Sequence, residues 1–222
     1  MWKISVLITV SAVNLLGCPK EEVQNSEGEA AVVEKTETQK VDELSKRLDW
    51  TTAVLVKGSE SKSGVGLYNV NVKLAGGGTS SGAVTVLKHS EKAQALAIVP
   101  TVFQDFQKKG AEKTLQVKWN PSGTKVAIHD ASAKHSICQI YYLTPESRFE
   151  RAKLPDDPRW MAARAGVKDS QKVISSGREP INWDEEKQML LWVEFRFRTD
   201  DKVNHRKKFF LLIDDKGVYH VQ

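Results

Sequence analysis

Leu115-Gln116-Val117-Lys118-Trp119-Asn120-Pro121-Ser122-Gly123-Thr124-Lys125-Val126-Ala127-Ile128-His129-Asp130 decides the fold. Leu115, Val117 and Trp119 alternate with Gln116 and Lys118, which places the two sets on opposite faces of a strand. Asn120-Pro121-Ser122-Gly123 then supplies a turn, with Pro and Gly presetting its dihedrals. A second strand is expected over Lys125–Asp130, a third over Ile137–Leu143, and a fourth from Arg148 to Leu154 after Thr144-Pro145. Strands joined by such short connections form an antiparallel four-stranded meander.

The same layout returns downstream. Ile181 to Leu191 can be laid on Val117 to Ala127 with an offset of 64, so that Trp183 falls on Trp119. Strands follow at Leu190–Arg198, Arg206–Ile213 and Val218–Val221, with Asp214-Asp215-Lys216-Gly217 as the last turn. Two meanders of one design suggest a repeat. Upstream, Thr51–Lys57, Gly66–Leu74, Ala83–Lys88 and Ala95–Val102 read as further strands. Gly76 to Gly82 is a hairpin loop, because it lacks the Gly-Lys-Ser/Thr ending of a phosphate cradle.

Val117 to Ile128, followed by Ile140-Tyr141, resembles a blade of the Tol-type β-propellers, which carry a Trp-Ser-Pro-Asp-Gly core, then a Lys and an apolar strand. Asn120 and Ser122 depart from that pattern, and the second copy lacks both Pro and Gly. The resemblance spans about 80 residues and implies an exported binding scaffold, whereas a closed propeller takes four or more four-stranded blades. The expected fold is all-β: antiparallel meanders resembling propeller blades, as a partial propeller, an open stack or a β-sandwich, with one short helix. That helix starts at Asp157, a capping residue, with Pro158 in its first turn and Gly166 as its stop. Trp160 on it is expected to plug a sheet edge.

The chain opens differently. Lys3 precedes an apolar run, Ile4 to Leu16, too short for a spanning helix of roughly 20 residues and suited to an export signal. Leu15-Leu16-Gly17-Cys18 resembles the lipobox of bacterial lipoproteins. The resemblance implies cleavage after Gly17 and acylation of Cys18, which tethers the chain to a membrane because each buried methylene contributes roughly 0.8 kcal/mol. Pro19 at the next position points to the outer membrane, facing the periplasm, rather than inner-membrane retention. The expected organisation is a signal peptide over 1–17, a lipidated, polar tether over 18–47 that is too poor in apolar residues to order itself, and one all-β domain over 48–222.

The net charge of +5 hides a division. Residues 19–49 carry five cations against nine carboxylates, so the tether is acidic and the domain that follows is basic. A basic exported domain favours an acidic protein, a cell-wall polymer or anionic headgroups over nucleic acid.

No catalytic constellation, metal set or cofactor motif stands out. With Cys18 lipidated, Cys138 has no disulfide partner and sits in an apolar strand as an inert thiol. His129-Asp130 and His135 match no zinc spacing, and Asp156-Asp157 and Asp200-Asp201 suit cap and turn duties. The best binding candidate is a basic hairpin of Arg196, Arg198, Lys202, Arg206, Lys207 and Lys208, with His205 among them, behind inward-facing Val193, Phe195 and Phe197. Such charges also keep edge strands soluble. The expected function is a non-catalytic envelope lipoprotein that binds a protein partner as a scaffold. Its rivals are a binder of anionic glycan or lipid through the hairpin, and a hydrolase or inhibitor with a loop-borne site.

Overall fold

Short connections between alternating strands leave little choice but antiparallel pairing with the next neighbour, and this is what the chain does three times over. The computed structural model describes residues 36–74, 79–100, 115–131, 137–154, 157–184, 188–197 and 205–221, all within the unit Lys35–Gln222. The first sheet holds β1 (Leu48–Leu55), β2 (Val65–Lys73), β3 (Thr79–His89) and β4 (Ala95–Ile98) in sequential order. The second holds β5 (Leu115–Trp119), β6 (Lys125–Asp130), β7 (Ile137–Leu143) and β8 (Phe149–Arg151). The third holds β9 (Val173–Trp183), β10 (Gln188–Phe197), β11 (His205–Ile213) and β12 (Tyr219–Val221). The fold is therefore all-β, as expected, in three four-stranded antiparallel meanders that do not close into a barrel.

The layers are read from the core. Leu67, Leu87 and Ala97 of the first sheet meet Val126, Ile128, Tyr141 and Phe149 of the second. The opposite face of the second sheet, with Ala127, Cys138 and Ile140, meets Met189, Leu191, Val193 and Phe195 of the third. The second sheet is thus the middle layer, and all six residues of β6 are buried. Polar residues on that strand have no solvent to turn to, which is why Lys125, His129 and Asp130 are buried alongside Val126, Ala127 and Ile128.

Each interface is pinned by an indole. The Trp119 Nε1–H donates to the Ser59 carbonyl of the first sheet's β1–β2 connection at 2.7 Å, and the Trp183 Nε1–H donates to the Lys118 carbonyl of the second sheet at 2.8 Å. Three further contacts hold the second sheet to the third. Lys125 Nζ reaches Asp215 at 3.2 Å, Lys153 bridges Val218, and the Tyr142 ring lies on Gly217.

Two expectations need correction. The tether is expected to run to residue 47, with a helical turn or two over Val41–Leu48 at the domain edge, yet Glu37–Arg47 form α1, a helix of eleven residues that belongs with the sheets. Thr36 and Gln39 make a reciprocal capping box, which stabilises the helix start. Val41 and Leu44 pack on the outer face of the first sheet against Tyr68, Val70 and Val86. Acidic, polar composition concealed a stripe of just two apolar side chains one turn apart, enough when a sheet face needs a cover. The second is β9, which reaches back to Val173, well before the Ile181 at which the overlay with the first meander begins. Gly177 and Pro180 obscured it; Pro180 is tolerated because β9 is an edge strand with a register shift beside that residue, the places where a sheet accepts proline. The later helix, α2 (Pro158–Arg164), forms as expected, with Asp157 accepting the Arg159 N–H. Trp160 is 38% exposed and meets Tyr219 edge-on.

Gly217 has φ +70°, and a Cβ there would overlap the Tyr142 ring. Gly217→Ala is therefore expected to cost about 2–4 kcal/mol, combining left-handed strain with overpacking. Gly166 has φ +64° with open space around it, so Gly166→Ala should cost only about 1–2 kcal/mol. Urea unfolding of the two variants checks the difference, which isolates the contact between second and third sheets.

Candidate functional site

Stacking three sheets and laying α1 beside them leaves a groove of about 900 Å³ along one side of the stack. Its walls are the start of α1, β4 of the first sheet, β8 with the adjoining part of β7, and Ser176 and Arg178 of β9. Leu96, Ile98 and Phe149 supply apolar surface, and Arg148, Arg151, Lys153 and Arg178 supply four cations against Glu37 and Glu150.

The two strand edges in this groove differ. On β4 three outward backbone groups are occupied. Ile98 C=O accepts from the Tyr141 hydroxyl at 3.2 Å, Ala95 C=O accepts from Arg148 at 2.8 Å, and Ala95 N–H donates to Ser45 Oγ at 3.1 Å. Just beyond, Pro100 C=O accepts from the Gln139 amide. Arg148 also forms an ion pair with Asp42 of α1, which fastens the helix across the end of the groove. No described side chain plugs β8 in this way, although Val218 bridges the Lys153 backbone just past its end. The Arg151 and Lys153 side chains are exposed, and neither makes a hydrogen bond or ion pair with a described residue.

The buried titratable groups nearby are poorly suited to chemistry. Burial pushes the Cys138 thiol up to about 12, with Arg178 only partly opposing it, so it stays protonated at neutral pH and is a weak nucleophile. Burial likewise raises Tyr141, whose hydroxyl bonds Gln139 Oε1 at 2.7 Å. His129 is 3% exposed and neither ring nitrogen has a hydrogen-bond partner among the described residues. Burial lowers its pKa, while Glu179 and Asp130 pull the other way. Among the described residues no group of three His, Cys, Asp or Glu side chains could hold a metal, and no helix is long and apolar enough to cross a membrane.

The basic hairpin looks different from its sequence. Val193, Phe195 and Phe197 are buried, as expected. Arg206, Lys207 and Lys208 are exposed on β11, but strand alternation divides them. Phe209, Leu211 and Ile213 point into the core, so Arg206 and Lys208 share the outer face with Phe210, and Lys207 lies on the opposite side. Arg206 is held by Glu179 across the sheet. Arg196 occupies β10 opposite Ser175. Arg198, Lys202, Gly17, Cys18 and His135 lie outside the described residues. The groove escaped sequence reading because it is assembled from α1 and all three sheets; its one local signal is the basic alternation Arg148-Phe149-Glu150-Arg151-Ala152-Lys153.

No family model, curated protein or solved structure matches the chain.

Two solution measurements check this account. Cys138 is expected to resist alkylation in the folded protein at pH 8 and to react at once in urea. For His129, the unfolded state takes up a proton near the ordinary value of 6.5, and the folded state only at lower pH. Its contribution to stability is therefore complete above about pH 6.5 and is lost as pH falls below it. His129→Leu should flatten that stretch of the stability–pH curve while leaving stability at pH 7 equal or higher, since two unsatisfied buried nitrogens are removed.

Proposed function

We propose that this chain is a lipid-tethered binding module of the cell envelope, non-catalytic, which holds a protein partner in the groove between α1, β4 and β8. Acylation of Cys18 supplies the anchor, and the outer membrane, facing the periplasm, is the favoured location. The observation that carries the reading is the groove itself: about 900 Å³ of mixed apolar and cationic surface, built jointly by three sheets and a helix. Pockets of this size and character are the default binding sites of a fold. The basic domain charge favours an acidic partner through long-range steering.

The rival reading, an anion site on the hairpin, has less support, because Arg206 is already engaged by Glu179 and Lys207 faces away from Arg206 and Lys208.

Expression of the full chain in a Gram-negative bacterium tests both halves. Cys18→Ser should move it from the membrane fraction to the soluble periplasm and abolish the acyl mass on the amino-terminal peptide. Crosslinking in intact cells should then yield an envelope adduct that is lost with Arg151→Glu/Lys153→Glu and kept with Arg206→Glu/Lys208→Glu. The opposite pattern would transfer the site to the hairpin.

A further inference from the structure

The β8 edge specifies what kind of partner the groove takes. Ala152 N–H bonds Ile140 C=O at 2.8 Å and Thr144 N–H bonds Arg148 C=O at 2.8 Å, one beyond each end of the β7–β8 ladder. Tyr141 lies opposite Arg151, Tyr142 opposite Glu150 and Leu143 opposite Phe149. In an antiparallel pair, residues alternate between bonding the neighbour and facing away from it. Glu150 therefore bonds β7, and Phe149 and Arg151 turn their N–H and C=O groups outward into the groove. β8 is the last strand of its sheet, and its edge is the counterpart of the β4 edge whose groups Tyr141, Arg148 and Ser45 occupy. The side chains agree with the backbone. Arg151 and Lys153 are two residues apart on the same face, exposed and without a described ion-pair partner.

We propose that an extended peptide segment of the partner adds as a strand to β8 along Phe149–Arg151, with acidic side chains placed within reach of the Arg151 and Lys153 side chains. This rests on the groove being the binding site. Strand addition takes its affinity from main-chain hydrogen bonds and its specificity from alternate side chains, and opposite charges directly across a pair are favourable. Phe149 and Arg151 offer two outward N–H and two outward C=O groups. Beyond Arg151 the edge is taken at Lys153 by Val218, so the added strand pairs over a short register and relies on the cations for the rest.

The probe is a fluorescein-labelled Thr-Glu-Thr-Glu-Thr-Glu-Thr peptide, titrated against the full chain in detergent. Three comparators accompany it: the Thr-Lys analogue, the Thr-Glu peptide methylated at every backbone nitrogen, and polygalacturonate as competitor. Binding of the Thr-Glu peptide should weaken about tenfold on Arg151→Gln/Lys153→Gln and with added salt. The methylated and Thr-Lys peptides should bind at least about tenfold more weakly. Hydrogen exchange should show the Arg151 amide slowed by the Thr-Glu peptide. Equal binding of the methylated peptide, or full displacement by polygalacturonate, would overturn strand addition. So would no binding of the Thr-Glu peptide by a chain whose envelope adduct depends on Arg151 and Lys153; in that case the groove still stands as the site. If that adduct ignores both residues, the groove reading itself fails. Matching urea midpoints for the variants guard against misfolding as the cause.

Discussion

The stack depends on one repeated tie between neighbouring sheets. At the end of the first strand of the second sheet stands Trp119, and at the end of the first strand of the third stands Trp183; each donates its indole N–H to a carbonyl of the sheet before it. The backbone bond that follows each is the same: Asn120 N–H to Lys125 C=O, and Asp184 N–H to Gln188 C=O. In the first sheet that bond is Val56 N–H to Leu67 C=O, which puts Leu55 in the tryptophan's place. Positions 55, 119 and 183 are 64 apart. Among the described residues no sheet precedes Leu55, which is 37% exposed. An indole tie of this kind contributes about 0.5–1.5 kcal/mol, but it also fixes rotation and slide, which apolar burial alone leaves loose.

A fixed stack sets the fate of every polar group in the middle layer. β6 is covered on both faces, so Lys125 must find Asp215 at the rim and Asn120 must satisfy Lys125 N–H with its own side chain. His129 finds no hydrogen-bond partner among the described residues and stays neutral instead. The same geometry brings the outer strands of neighbouring sheets side by side, which is how β4 and β8 come to flank one groove. Side chains of the second sheet and of α1 take up three backbone groups on the β4 edge. No described side chain does so for Phe149 and Arg151 of β8, whose edge is met only beyond its end, at Lys153 by Val218, and the difference between two edges of the same groove is what singles out a site.

Much of this was legible in the residues. Alternation and turn chemistry located β6 and β7 to the residue, and the 64-residue offset placed Trp183 on Trp119. Period-2 burial is a local constraint, so it leaves a local trace. β9 was obscured by Gly177 and Pro180; an edge strand tolerates the proline, which in a central strand would argue against pairing. Val41–Leu48 reads as a helical turn or two, but the full length of α1 is obscured because its apolar stripe is only Val41 and Leu44 and its value comes from the sheet beneath it. The groove had no trace beyond a basic alternation, since α1, β4, β8 and β9 meet only after stacking. The hairpin misleads in sequence for the reverse reason. Adjacent cations in sequence alternate across a strand, so Lys207 leaves its neighbours, and Glu179, distant in sequence, takes up Arg206.

A stack of sheets that does not close must end twice, and the two ends are solved differently. The first sheet turns Tyr68, Val70 and Val86 outward, an apolar surface that would invite another layer, and α1 covers it. The third sheet carries its solution in the strands themselves, with Arg206, Lys208 and Glu179 on the outer face around a half-exposed Phe210. Terminal units of a repeat array need such polar outer faces to stay soluble. On this view the charges of the hairpin are explained by the place of β11 in the last layer, with no ligand required. The cations at β8 have no such explanation: β8 belongs to the middle layer, and Arg151 and Lys153 face a groove, not an end. Position in the stack thus separates charge that terminates the fold from charge that is left over for binding.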